Sequence, residues 1–221
     1  MTAFAIKMIA ITSMLIDHAG AVFDLHEYTR VIGRIAFPLF VFLIAEGCRH
    51  TKNMKKYLLR LGVFALISEI PFDLAFNDRI DFFNNTNIFY TLFLGVFCVY
   101  IWRCIESTNL HELLKRLLIG FSAIIIGFLA VFLSSDYGAM GVFFILIIAM
   151  THDGGSKYWQ LAVMAVFCIL LYYTRPILLA GSLISLPIVA LYNWEQGRPV
   201  KWPFYWFYPG HLLLFALIAK L

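Results

Sequence analysis

The chain has 221 residues, of which 62% are hydrophobic and only 14% charged, with a net charge of +4 and a mean hydropathy of +0.84. A soluble domain carries roughly a quarter charged residues, so this composition excludes a water-soluble globular protein. The length accommodates about nine membrane crossings of ~20 residues and no separate soluble domain, and the modest positive charge leaves no nucleic-acid footprint.

Apolar runs predict helical spans at residues 4–23, 28–48, 57–76, 88–104, 117–133, 137–150, 158–173, 177–194 and 204–220. The sixth is short enough to be re-entrant. The first run starts close to Met1 with no small-residue cleavage site after it, so a retained span is expected rather than a signal peptide. The fold class is therefore an all-α polytopic bundle, one domain over residues 1–221, in a lipid bilayer. Lys and Arg set the orientation: with nine spans and a cytoplasmic N-terminus, the inner side collects twelve of the seventeen and the outer side or outer half five. Cys48, Cys98, Cys104 and Cys168 lie in or beside apolar runs without metal-ligand spacing, which reads as packing rather than a disulfide framework or a metal site.

Against this apolar background a few ionisable residues stand out. Asp17 and His18 interrupt the first span, Arg34 interrupts the second, and Glu46 closes it. Charged groups inside a membrane are costly and normally face a bundle interior, so each is a candidate functional residue. Asp17 lies roughly 9 Å below the outer end of its span at 1.5 Å per helical residue, and Arg34 and Glu69 fall at the same depth in theirs. Asp73 shares the face of Glu69, and Pro71 between them should distort that helix end. Two carboxylates that close call for a cation, and Arg34 or Arg30 is the expected one. Asp17 could fix the tautomer of His18 while the imidazole takes a proton, with Arg34 stabilising a developing oxyanion. The bland alternative is that these groups only glue the bundle together.

A second polar set belongs to the cytoplasmic side. Arg49, His50, Lys52, Lys55, Lys56 and Arg60 form a dense basic loop below Glu46, and His152 and His211 are expected at the inner ends of the sixth and ninth spans. The loop either sets topology and meets anionic lipid or binds the phosphates of a nucleotide-like cofactor. Asp136, in SSDYGAMG, falls in a tight outer turn and has no assigned role.

The blocks IDHAGAVF, GRIAFPLFVFLIAEG, KKYLLRLGVFALISEIPFDLAF, TLFLG, DYGAMGV and FYPGHLLL resemble, in order and over nearly the whole chain, the signature blocks of the TraX family. That resemblance implies an integral membrane acetyltransferase of the bacterial cytoplasmic membrane, with acetyl-CoA as donor. Its acceptor is an amine or hydroxyl at the outer side, either the amino terminus of a processed pilin or another exported molecule. Residue by residue, Asp17 and His18 match the DH pair, Arg34 the GRIAFP block, Glu46 its closing EG, Glu69 and Asp73 the SEIPFD block, Asp136 the DYG and His211 the YPxH. The catalytic expectation is then His18, Asp17, Arg34, Glu69 and Asp73, with Arg49, His50, Lys52, Lys56 and His211 for the donor. The same residues also fit a small proton-coupled transporter, although no repeated halves or paired broken helices are visible. A non-catalytic assembly factor would leave the His18 cluster unexplained.

Overall fold

The computed structural model describes residues 1–77, 80–154 and 156–220, the side chains of 152–154 excepted, and among these residues every regular element is an α-helix. In chain order they are α1 (Ala3–Val22), α2 (Tyr28–Gly33), α3 (Ala36–His50), α4 (Met54–Phe76), α5 (Ile88–Glu106), α6 (Glu112–Phe132), α7 (Gly138–Gly154), α8 (Lys157–Tyr172), α9 (Pro176–Leu183), α10 (Ser185–Ala190) and α11 (Trp202–Ala219). Each apolar run expected as a span is helical. Two carry a short irregularity at which the backbone keeps helical angles, the second at residues 34–35 and the eighth at Ile184. Among the described residues, four helical stretches are long and apolar enough to cross a membrane: Ala3–Val22, Tyr28–His50, Ile88–Glu106 and Glu112–Phe132. The helix around Pro71 differs from expectation, because α4 runs through the proline to Phe76 without interruption.

Packing centres on α7, which lies against α3, α5, α6 and α8. Val142, Phe144, Ile145 and Ile148 are fully buried there, and a helix enclosed by others must be apolar on every side. α4 packs between α5 and α11, while α1 packs on α2 and α3. α6 is peripheral and leaves Phe121, Phe128 and Phe132 exposed. Three of the cysteines, Cys48, Cys98 and Cys168, are buried as packing residues, whereas Cys104 is exposed, and all four are free thiols.

Local chemistry fixes the helix ends that matter below. Asn53 and Asn87 cap α4 and α5 by accepting from the backbone N–H of Lys56 and Phe89, both at 2.9 Å. The first backbone N–H groups of α1 would be orphans. Instead Ala3 and Phe4 donate to the carbonyls of Glu195 and Gln196, at 2.8 and 3.1 Å. This ties the segment before α11 to the start of α1 and brings Lys201 beside Lys7.

Candidate functional site

At the C-terminal end of α1, Asp17 and His18 diverge because successive helical residues point about 100° apart. Asp17 faces α2. Its two carboxylate oxygens accept from Nη2 of Arg34 at 2.9 and 2.7 Å, and Arg30 Nη1 stands 3.0 Å from Oδ1. Arg30 also donates to the Asp17 carbonyl at 3.2 Å. This close approach needs Gly33, where a Cβ would collide with the Asp17 carboxylate. Arg34 is anchored further by Nε donating to the Arg30 carbonyl (3.2 Å), and its Nη1 lies 3.4 Å from Tyr172 Oη.

His18 faces α11 instead, and its partner is His211: Nδ1 of His18 and Nε2 of His211 are 2.7 Å apart. The other nitrogen of His211, Nδ1, lies 2.7 Å from the carbonyl of Phe207. A carbonyl can only accept, so His211 Nδ1 carries a proton and, with the ring neutral, Nε2 accepts. His18 Nδ1 is then the donor. That leaves Nε2 of His18 with a lone pair and no partner among the described residues. Phe76 and Tyr208 pack edge-on against the His18 ring and hold it in place. The tautomer of His18 is therefore fixed by His211, not by Asp17. His211, expected near the inner end of its span beside the donor, lies nine residues into α11 and belongs to this polar centre.

Glu69 and Asp73 do not meet the arginines, which Asp17 already engages. Both are buried on α4 and are met by neutral donors. Asn87 donates to Glu69 Oε2 from its side chain and from its backbone (3.2 Å), and Asp73 accepts from Asn77 Nδ2 (2.6 Å) and the Asp81 N–H (2.7 Å). Oε1 of Glu69 has no hydrogen-bond partner among the described residues. These carboxylates tie Asn77, Asp81 and Asn87 to α4, and they do not line either cavity described next.

Asp17, His18, Arg30 and Arg34 line a cavity of about 220 Å³ together with Asp136, Tyr137 and Phe76. The turn carrying Asp136 holds Ser134 and Tyr137 in the left-handed region, at φ 45° and 64°, a strain that persists only where surrounding contacts impose it. Those contacts are the Asp136 N–H on the Thr86 carbonyl (3.1 Å), Thr91 Oγ1 on the Asp136 carbonyl, and Tyr137 stacked on Phe37 at 3.5 Å. Asp136 lines the cavity with much of its surface open to it; desolvation by the surrounding groups pushes its carboxyl up to about 6, against the pull of the Arg34 guanidinium.

A second cavity, of about 280 Å³, opens at the other end of the same helices. Its wall carries Lys7, His50, Arg60 and Lys201 among Tyr57, Tyr205 and Phe204. Of the five residues expected to hold a donor, only His50 is on this wall, held by Glu46 at 2.8 Å, and Glu46 also accepts from Tyr192 Oη at 2.7 Å. Arg49 stacks its guanidinium on Trp194, and Lys52 and Lys56 are exposed away from the cavity. Lys7 and Lys201 were not expected here. Their signal in the sequence is a lone cation at the start of an aromatic, apolar helix, on the side that faces inward. The side chain of His152, expected at the inner end of the sixth span, lies outside the described set.

The helices, their apolar surfaces and the polar centre define a multi-pass membrane protein with an internal site. A family model described as TraX protein matches residues 3–219, and the chain belongs to the TraX family, as its signature blocks imply. It is also 29% identical over 238 residues to the probable fimbrial assembly protein FimC, serogroup H1, of Dichelobacter nodosus, covering 96% of this chain and 93% of that protein. No solved structure matches.

Proposed function

We propose that the protein is an acetyltransferase that moves an acetyl group from acetyl-CoA to an amine or hydroxyl acceptor, and that the acceptor is a pilin subunit in a fimbrial assembly pathway. One observation carries this reading. His18 presents an unpartnered Nε2, with its tautomer fixed from behind, in a cavity that backs onto a second, cationic cavity. The family membership and the fimbrial relative support it independently. With nine crossings and a cytoplasmic N-terminus, the cationic cavity opens to the compartment that holds CoA.

The donor supplies a thioester carbonyl, and the protein does the rest. Lys7, Arg60, Lys201 and His50 offer charge to phosphate oxygens; Arg60 keeps a buried Nε without a hydrogen-bond partner, as an anion site would require. A volume of about 280 Å³ suits the acyl-bearing arm, with the nucleotide left at the mouth. From the other cavity the acceptor gives its proton to His18 Nε2. The imidazolium so formed donates more strongly to His211, whose Nδ1–H leans on the Phe207 carbonyl. The acceptor nitrogen or oxygen bonds to the carbonyl carbon, the carbon–sulfur bond breaks, and the thiolate leaves with the proton held by His18. Arg34, balanced on one side by Asp17, turns its less engaged Nη1 to the negative charge that develops on the carbonyl oxygen.

A proton-coupled transporter would use the same ionisable groups, but alternating access closes one side while the other is open. Here two separate cavities meet at a shared apolar wall, which favours two substrates meeting over one substrate crossing. The deciding experiment incubates purified protein with radiolabelled acetyl-CoA and peptides carrying a mature pilin amino terminus. Wild type should label the peptide, and His18→Ala should lose about 10²–10⁴-fold of that rate while folding normally. Absence of transfer to any amine or hydroxyl acceptor, together with proton-driven uptake in proteoliposomes, would overturn the reading.

A further inference from the structure

Three side chains belong to the walls of both cavities: Met14 of α1, Phe40 of α3 and Ile88 of α5. The cavities otherwise occupy opposite ends of the same helices. One reaches Lys7 on α1, Gly47 on α3 and Tyr57 on α4, and the other reaches Ala21, Ala36 and Phe76 on those helices. Met14, Phe40 and Ile88 are thus the partition where the two meet. They come from three different helices and carry no hydrogen-bonding group. Met14 also sits one helical turn before His18, on the same face. Each cavity is polar at its outer part and apolar at this shared wall, and an apolar constriction between two wet chambers excludes water and ions by dewetting.

We propose that Met14, Phe40 and Ile88 form an apolar sizing ring, which seals the two cavities from each other and sets the length of acyl group that can reach His18. The sealing half stands on the geometry alone, and the sizing half rests on the acyltransferase reading above. A membrane protein with cavities at both ends needs such a barrier, or it conducts protons and small ions. The ring divides the task by residue type. Phe40 is a rigid wall, while Met14 is unbranched and flexible and can swing aside for a short chain. An acetyl group adds one methyl beyond the carbonyl and needs little displacement. Each further methylene must be accommodated against Phe40, and in a hydrophobic site one methylene changes selectivity by about 10–200-fold.

Two measurements test this, and they fail separately. In the first, wild type, Phe40→Ala and Met14→Ala are compared with acetyl-, butanoyl- and hexanoyl-CoA as donors. Wild type should favour acetyl, and either truncation should raise the butanoyl-to-acetyl ratio of kcat/KM by about tenfold or more. Phe40→Trp should lower transfer of all three donors. An unchanged ratio in a truncated variant that elutes and unfolds like wild type overturns the sizing role. In the second, Ala21→Cys is placed in a background without the four native cysteines, and a membrane-impermeant thiol reagent is applied to vesicles of each orientation. With the ring intact, modification should come from one side only. Adding Met14→Ala and Phe40→Ala together should admit the reagent from both. Modification from both sides with the ring intact, or from one side only once it is opened, overturns the seal, whether or not any acyl-CoA proves to be a donor. If wild type uses no acyl-CoA at all, the acyltransferase reading and the sizing role fall together, and the thiol experiment alone decides the seal.

Discussion

In the cavity beside Asp17, the polar side chains are committed to one another: Asp17 to two arginines, Arg34 to a tyrosine as well, and His18 to a second histidine. At the other end of the bundle the cations have looser partners, Lys7 over the ring of Phe204 and Arg60 over that of Tyr57, at 4.6 and 5.7 Å. The contrast separates two tasks. A fixed network holds groups in the geometry that a reaction needs and does not relax when a substrate arrives. Loose cations near a surface attract an anion, adapt to it and release it, and they are screened by salt.

The strongest way to break the fixed end is Arg34→Ala. Asp17 would keep only Arg30, at 3.0 Å, so the cost falls below the roughly 3–5 kcal/mol of leaving a buried charge wholly unpaired. The expected outcome is a marked fall in unfolding temperature in detergent, partly recovered by Arg34→Lys. A variant as stable as wild type would mean that the Asp17 network carries no structural weight. Next in size is His211→Ala, which leaves the His18 ring in place but removes what sets its tautomer. By analogy with the partners that orient metal-bound histidines, its loss should cost about 10–100-fold in activity. His211→Gln, whose side-chain oxygen can accept from His18, should recover part of it, and failure of that rescue would reduce His211 to a packing residue.

At the adaptable end, neutralising Lys7, Arg60 and Lys201 together should raise KM for acetyl-CoA about tenfold at low salt, since charge contacts at exposed or partly exposed sites contribute about 0.2–1 kcal/mol each. The difference should shrink as salt rises. Neutralising Arg49, Lys52 and Lys56 should have the smaller effect, and the opposite ranking would return donor binding to the basic loop. The last effect is at Asp136, much of whose surface is open to the cavity, so solvent screening makes it the smallest of the set. Its carboxyl is raised from 3.8 to about 6 by burial, so the charged form is disfavoured in the folded state. Stability contributed by the protonated group is lost as pH rises from about 4 through about 6. Asp136→Asn should therefore raise the unfolding temperature at pH 7.5 and leave it unchanged at pH 4. An equal or lower value at pH 7.5 would show that the arginines neutralise Asp136 fully.

How much of this was legible in the sequence depends on the direction of each relationship. Relationships along a helix were readable: the apolar runs became helices, and depth counted from span ends placed Asp17 and Arg34 at one level, where they meet. Relationships across the bundle were not. His18 and His211 lie 193 residues apart, and no spacing rule links them. Charge counting also misassigned the partners of Glu69 and Asp73, because the amides of Asn77 and Asn87 supply donors that carry no charge to count. The basic loop misled for a related reason. Which cation enters a cavity is set by the rotation of its helix, so Lys7, alone in its turn, lines the wall while the clustered Lys52 and Lys56 do not.

The hydrogen bond between His18 and His211 has a consequence for biosynthesis. Its donor is in α1 and its acceptor in α11, which the ribosome makes after the ten helices before it. At about 5–20 residues per second, α1 waits roughly ten to forty seconds for its partner. During that interval His18 has neither a fixed tautomer nor Tyr208 beside it. The pair therefore reports completion of the bundle: a chain halted before α11 would hold the loops and both arginines yet lack the oriented imidazole.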